Sequence, residues 1–184
     1  MKKTLFLAIA LMASVMASAQ VSVQLGYLLN TQKTKSILGN FSDSYSGIMA
    51  SVDYNQNLAG NLSVAPGLGV GYSFDNSDGA KYQELGLFAP VDVNYRFRIG
   101  NDFSLSVFAG PTFYYGLISK DAFVDYYDHD IKRFELLVGG GVWADIKETI
   151  RLKAGYKFGV TDSSKINGIT EKNNCLYLSV GYLF

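Results

Sequence analysis

The chain has 184 residues, enough for one domain, with 16 basic and 16 acidic groups, 48% hydrophobic and 17% charged residues. That balance excludes an intrinsically disordered chain and a basic nucleic-acid binder, so no nucleic-acid partner is expected. A single cysteine, Cys175, excludes an intramolecular disulfide framework, and a single histidine, His129, leaves little for a zinc site.

The chain opens with Met1-Lys2-Lys3, an apolar run from Leu5 to Met12 and the small residues Ala17-Ser18-Ala19. A charged start, a short apolar stretch and an A-x-A triplet read as a secretory signal peptide over 1–19. An N-terminal anchor is the competing reading, but the stretch falls short of the roughly 20 residues that span a bilayer. No cysteine follows it to accept lipid. Residues 20–184 are therefore expected as the exported mature domain, slightly acidic once Lys2 and Lys3 are gone.

From Gln20 onward the apolar residues recur at period two, the signature of strands with two unlike faces. A strand over 21–30 places Val21, Val23, Leu25, Tyr27 and Leu29 on one face; a connection over Thr31 to Tyr45 follows. The second strand, 46–55, shows Ile48, Ala50, Val52 and Tyr54, and a short connection leads to 62–74. That third strand alternates Leu62, Val64, Pro66, Leu68, Val70, Tyr72 and Phe74 with Ser63, Gly67, Gly69, Gly71 and Ser73. Strands over 83–98 and 103–117 carry Leu85 to Phe97 and Phe103 to Leu117 in the same alternation, joined by the short turn Ile99 to Asp102. A longer connection, Ile118 to Lys132, leads to 133–146, and the shortest turn, Lys147 to Thr149, leads to 150–160. After Thr161 to Asn174 comes a final strand over 175–184.

The better apolar parity of every strand is free of charge. The opposite parity carries Asp53, Glu84, Asp92, Arg96, Arg98, Glu135, Asp145, Arg151, Lys153 and Lys157, with many Ser and Gly. A soluble lipocalin-like barrel would bury the apolar parity; a transmembrane barrel turns it toward lipid. Three features favour the second. On the apolar face the aromatics collect at the strand ends, where rings bridge apolar and wet zones, with Val, Leu and Ala between. The polar parity mixes small residues with long charged ones, as the narrow interior of an eight-stranded barrel requires. The connections alternate short and long, as on the periplasmic and extracellular sides of an outer-membrane barrel. The expected fold is all-β: a closed, antiparallel, up-and-down, eight-stranded transmembrane β-barrel with an apolar outer face and a filled polar lumen.

The C-terminal strand Leu176-Tyr177-Leu178-Ser179-Val180-Gly181-Tyr182-Leu183-Phe184 and the segment Ala89-Pro90-Val91-Asp92-Val93-Asn94-Tyr95-Arg96-Phe97 resemble the small eight-stranded, porin-like outer-membrane β-barrel family of Gram-negative bacteria. The Gln after the cleavage site is similar to exported proteins of Bacteroides relatives. The resemblance implies that Leu176, Leu178, Val180, Tyr182 and Phe184 form the signal read by the barrel-assembly machinery. It also implies a location in the cell outer membrane, among outer-membrane lipid and lipopolysaccharide, and specifies no activity.

Centring the hairpin of the sixth and seventh strands on residue 148 sets Asp145 against Arg151 and Trp143 against Lys153, with Ile146–Ile150 and Ala144–Leu152 facing outward. The first pair is an ion pair and the second a cation–π candidate. The lumen charges read as a structural plug, with an ion-selective constriction as the alternative. Asp121, Asp125, Tyr126, Tyr127, Asp128, His129 and Asp130 read as solvated loop, since their spacing fits no calcium loop. A lipid-modifying enzyme would need a Ser beside His129, and the nearest in the chain is Ser119. Cys175 reads as a small packed side chain on the inward parity. Pro66, Pro90 and Pro111 fall at similar height and predict a bulge or a broken ladder there. The expected role is structural or surface-interacting and non-enzymatic, with no cofactor, and with a narrow pore as the runner-up.

Overall fold

The computed structural model describes residues 20–37, 39–75, 82–120 and 132–184, the side chain of Lys120 excepted. The expected leader over 1–19 and the acidic stretch 121–130 with His129 lie outside the described residues.

Eight strands follow one another: β1 (Gln20–Ser36), β2 (Gly39–Ala59), β3 (Leu62–Asp75), β4 (Tyr82–Arg98), β5 (Phe103–Lys120), β6 (Phe134–Ile146), β7 (Ile150–Gly159) and β8 (Thr170–Leu183). Each pairs antiparallel with its chain neighbour, and β1 pairs with β8 from Ser22↔Leu183 to Lys35↔Thr170, closing the barrel. Closure leaves no strand edge in the wall, as hydrocarbon demands of any sheet that crosses it.

The side chains sort as the period-two reading requires. Leu68 is 61% exposed on the outer surface, and Val107 and Val142 likewise face out. Two belts of outward rings flank this band. Tyr95, Phe97, Phe103, Tyr182 and Phe184 lie at the end where β1 begins and β8 finishes, and Tyr27, Phe113, Tyr115, Phe134, Tyr156 and Phe158 lie toward the other. Three tight turns close the lower end. Gly60 (φ 57°) and Gly100 (φ 81°) occupy the left-handed region that their turns need and that a side chain disfavours. Lys147 (φ 52°) and Glu148 (φ 50°) adopt it without being glycine, held by Thr149 N donating to Ile146 O at 3.1 Å.

Two expectations are corrected at the upper end. Thr31 to Tyr45 is not a loop: β1 and β2 stay paired to Ser36↔Gly39. The apolar alternation stops near Leu29 because both faces there meet water, whereas the backbone ladder needs no such pattern. For the same reason β8 begins at Thr170, inside the expected connection. In the connection before it, partial burial alone would raise the Asp162 carboxyl. Donation to its Oδ1 from Glu171 N (2.9 Å) and Ser164 N (3.1 Å), with Lys132 and Lys172 nearby, instead holds it below the usual aspartate range.

The prolines break the ladder without a bulge. The β2–β3 pairing skips Tyr54 and Asn55 opposite Pro66 and Ala65; β3–β4 skips Gly67 and Leu68 opposite Pro90 and Ala89; β4–β5 skips Val91 and Asp92 opposite Pro111 and Gly110. A proline removes an N–H but adds no residue, so the register is unchanged across each gap. The register shifts lie elsewhere, at Asn57/Ala59 and Leu85/Gly86.

Candidate functional site

The lumen is built in layers. At the bottom, Arg151 Nε and Nη2 donate to Asp145 Oδ1 and Oδ2 at 2.7 and 3.0 Å. Arg96 Nη2 reaches the same Oδ2 at 3.4 Å and Gln20 Oε1 at 3.2 Å. The pairing Asp145↔Arg151 and Trp143↔Lys153 is the one expected from the short turn. Beside it Ser63 Oγ donates to Asn94 Oδ1, and Asn94 Nδ2 to Asn55 Oδ1 at 3.1 Å.

One layer higher, Lys153 Nζ lies 3.4 Å from Asp53 Oδ2 and 3.3 Å from Asp92 Oδ2, and Lys157 Nζ lies 2.6 Å from Asp92 Oδ1. Gln24 Nε2 also donates to Asp53, and Ser179 Oγ to Gln24 Oε1 at 2.8 Å. Lys157 Nζ further donates to the Gly110 carbonyl at 3.1 Å, supplying a donor inside the stretch where Pro111 interrupts the ladder. Alternating four cations with three carboxylates satisfies charges that would be costly singly in so dry an interior.

Rings fill what the ions leave. Phe108 and Trp143 stack with centroids 5.3 Å apart. The Arg151 guanidinium sits 4.4 Å from the Trp143 centroid, and Lys153 Nζ sits 4.7 Å from that of Phe108 and 5.5 Å from that of Trp143. The cation–π partner expected for Trp143 was Lys153; Arg151 lies closer. Glycine makes room for these rings. Phe88, Phe108 and Tyr177 are the cross-strand partners of Gly69, Gly141 and Gly155. A Cβ on Gly155 would stand 2.6 Å from the Tyr177 ring, and one on Gly141 would stand 2.7 Å from Phe108.

The upper half is looser. Leu28, Met49, Phe88, Leu137, Cys175 and Tyr177 wall a cavity of about 110 Å³ whose floor is Lys153, Lys157 and Asp53. Glu84 and Glu135 stand at its upper end, separate from the lower ion network. Tyr82 and Tyr114 hydroxyls donate to Glu84 at 2.5 and 2.6 Å, and Asn173 Nδ2 donates to Glu135 at 2.7 Å.

Of the charged residues assigned to the lumen from sequence, Asp53, Glu84, Asp92, Glu135, Asp145, Arg151, Lys153 and Lys157 are buried there, and Arg96 is partly so. Arg98 is a correction: it ends β4 beside the turn, and its side chain leaves the barrel for water. Leu176, Leu178, Val180, Tyr182 and Phe184 all face outward. The inward apolar side chains were missed. Their signal was present as large residues on the polar parity opposite glycine, but only the register reveals which glycine. Among the described residues no group of three or more His, Cys, Asp or Glu is arranged to hold a metal ion.

Comparison with solved structures finds Neisserial surface protein A at 16% identity and TM-score 0.52, covering 88% of this chain and 97% of that one. The attachment invasion locus protein Ail of Yersinia pestis is similar at 17% identity and TM-score 0.47, covering 91% and 99%. The outer membrane enzyme PagL is similar at 7% identity and TM-score 0.49, covering 83% and 97%. At 16% identity the likeness to the first shows the fold alone. No curated protein matches the chain. Residues 4–184 match the family described as the outer membrane protein beta-barrel domain, so this chain, with its closed eight-stranded wall and outward apolar face, belongs to that outer-membrane family.

Proposed function

We propose that the protein is a non-conducting, non-enzymatic outer-membrane barrel whose plugged body carries its outer strands and connections for contact with ligands at the cell surface. One observation carries this reading: the lower lumen is closed by side chains cut off from water, with Trp143 and Arg151 at 1% exposure and Asp92 at 0%. A water-filled pore would leave lumen side chains wet. The upper rim supports surface contact. β1 and β2 run on as a paired hairpin to Ser36 and Gly39, with Ile37 and Phe41 exposed. On another side Lys132, Arg133 and Lys165 line a groove beside the outward rings of Tyr115 and Phe134. Cations just above an aromatic belt suit the phosphates of lipopolysaccharide, the lipid this rim would meet.

The outward C-terminal residues are suited to recognition by the barrel-assembly machinery after export through the periplasm. Planar-bilayer recording tests the central point: the purified barrel should give no stable single-channel steps. Reproducible steps would establish the pore reading instead, with the Lys153–Asp92–Lys157 layer as its constriction. Lipid A of altered composition on overexpression would establish an enzyme.

A further inference from the structure

The upper cavity is sealed below by ion pairs and is unlike the layers beneath it. The surface of its walls is mostly apolar, and its floor charges are already matched, Lys153 by Asp53 and Asp92 and Lys157 by Asp92. Its upper end is acidic. Glu135 is 4% exposed, its one described hydrogen-bond partner is the neutral amide of Asn173, and among the described residues no Lys or Arg lies within ion-pair distance of it. A second polar group in the same lining is unsatisfied: Thr112 is 8% exposed, and its Oγ1 has no hydrogen-bond partner among the described residues. A buried carboxyl group without a cation beside it and a buried hydroxyl without a partner are both stabilised when a cationic donor arrives.

We propose that this cavity is a binding site for a small aliphatic ammonium ion. The ammonium would sit at the upper end, donating to Glu135, and the alkyl chain would lie against Leu28, Met49, Phe88 and Leu137. An apolar cavity of about 150 Å³ accepts benzene, so about 110 Å³ suits roughly four or five non-hydrogen atoms. n-Butylammonium is of that size. The site is independent of whether the barrel conducts or which surface ligand it meets.

The chain carries its own reporter. Met49 lines the cavity and is the one methionine of residues 20–184. The protein is purified from outer membranes after growth with methyl-¹³C methionine, and the Met49 signal is followed during titration with n-butylammonium and, separately, with the isosteric neutral alcohol n-butanol. The expected result is a saturable shift by the amine, with affinity at least about tenfold above that of the alcohol, the margin of a charge-assisted hydrogen bond. In Glu135→Gln, checked for folding by heat-modifiable gel mobility, that preference should fall to near unity while the alcohol still binds. Absence of a saturable shift with either probe would overturn the proposal and leave a cavity holding water. Equal affinities in the unaltered protein, or a preference that survives Glu135→Gln, would overturn it as well. If Glu135→Gln fails to fold, Thr112→Val supplies the second variant, with weakened amine binding expected and unchanged binding of both probes contradicting the site.

Discussion

Asp145→Asn removes the one carboxylate shared by the buried Arg151 guanidinium and the partly buried Arg96 guanidinium. Its oxygens receive Arg151 Nε at 2.7 Å, Arg151 Nη2 at 3.0 Å and Arg96 Nη2 at 3.4 Å, and both the Asp145 and Arg151 side chains are within 2% of complete burial. At such separations an ion pair is worth about 4 kcal/mol at an effective dielectric of 20. The asparagine keeps the volume and an acceptor oxygen but leaves the Arg151 charge uncompensated, a loss of about 3–5 kcal/mol by the usual cost of breaking a buried pair. The Trp143 ring, 4.4 Å from the guanidinium, faces the same charge in both proteins and leaves that loss unchanged. The expected destabilisation is therefore about 3–5 kcal/mol, measured by reversible urea unfolding of the refolded barrel in lipid vesicles. The double variant Asp145→Leu/Arg151→Met removes both charges and should recover most of it. A loss below about 0.5 kcal/mol, the range of an exposed pair, would refute the dry plug, since only a water-filled lumen screens so well.

Leu68→Arg sets a charge midway along the outer face of β3 and should lower stability in lipid by roughly 2–4 kcal/mol, read from the same unfolding curves. An effect near zero would mean that this face does not meet hydrocarbon. Glu148→Gly relieves a left-handed non-glycine residue in the tightest turn and should stabilise by about 1 kcal/mol. Gly139→Ala should destabilise by about 1–3 kcal/mol, because its Cβ would press on the Tyr156 carbonyl and stand 2.8 Å from Lys157 Cα; retained stability would show that β6 and β7 separate more easily than their close approach implies.

What was legible in the sequence follows from where lipid and turns constrain it. Val23, Val93 and Leu152 alternate with polar residues because one side of each strand must meet hydrocarbon, so sidedness can be read strand by strand. Asp145–Arg151 was legible because a three-residue turn leaves one register that keeps Ile146 and Ile150 outside together. Above the membrane that constraint vanishes. Thr31 to Ser36 and Gly39 to Ser44 are paired strands with polar residues on both faces, and no period marks them. The lumen fillings were hidden for another reason. Phe88 is explained by Gly69 and Tyr177 by Gly155, each on a neighbouring strand, so the match exists only once the register is known. The upper cavity draws side chains from all eight strands, which no local pattern can announce. Arg98 shows the limit of parity itself, which assigns a face but not whether the wall extends that far.

Greasy side chains face lipid while ions and the lone indole face the axis, and depth-resolved quenching by lipids brominated in mid-acyl chain tests this arrangement most directly. Trp143, 1% exposed inside the barrel, should be quenched little in the unaltered protein. A tryptophan moved to the outer face, as Leu178→Trp with Trp143→Phe, should be quenched strongly. Strong quenching of Trp143 together with weak quenching of the Leu178→Trp variant would contradict the account.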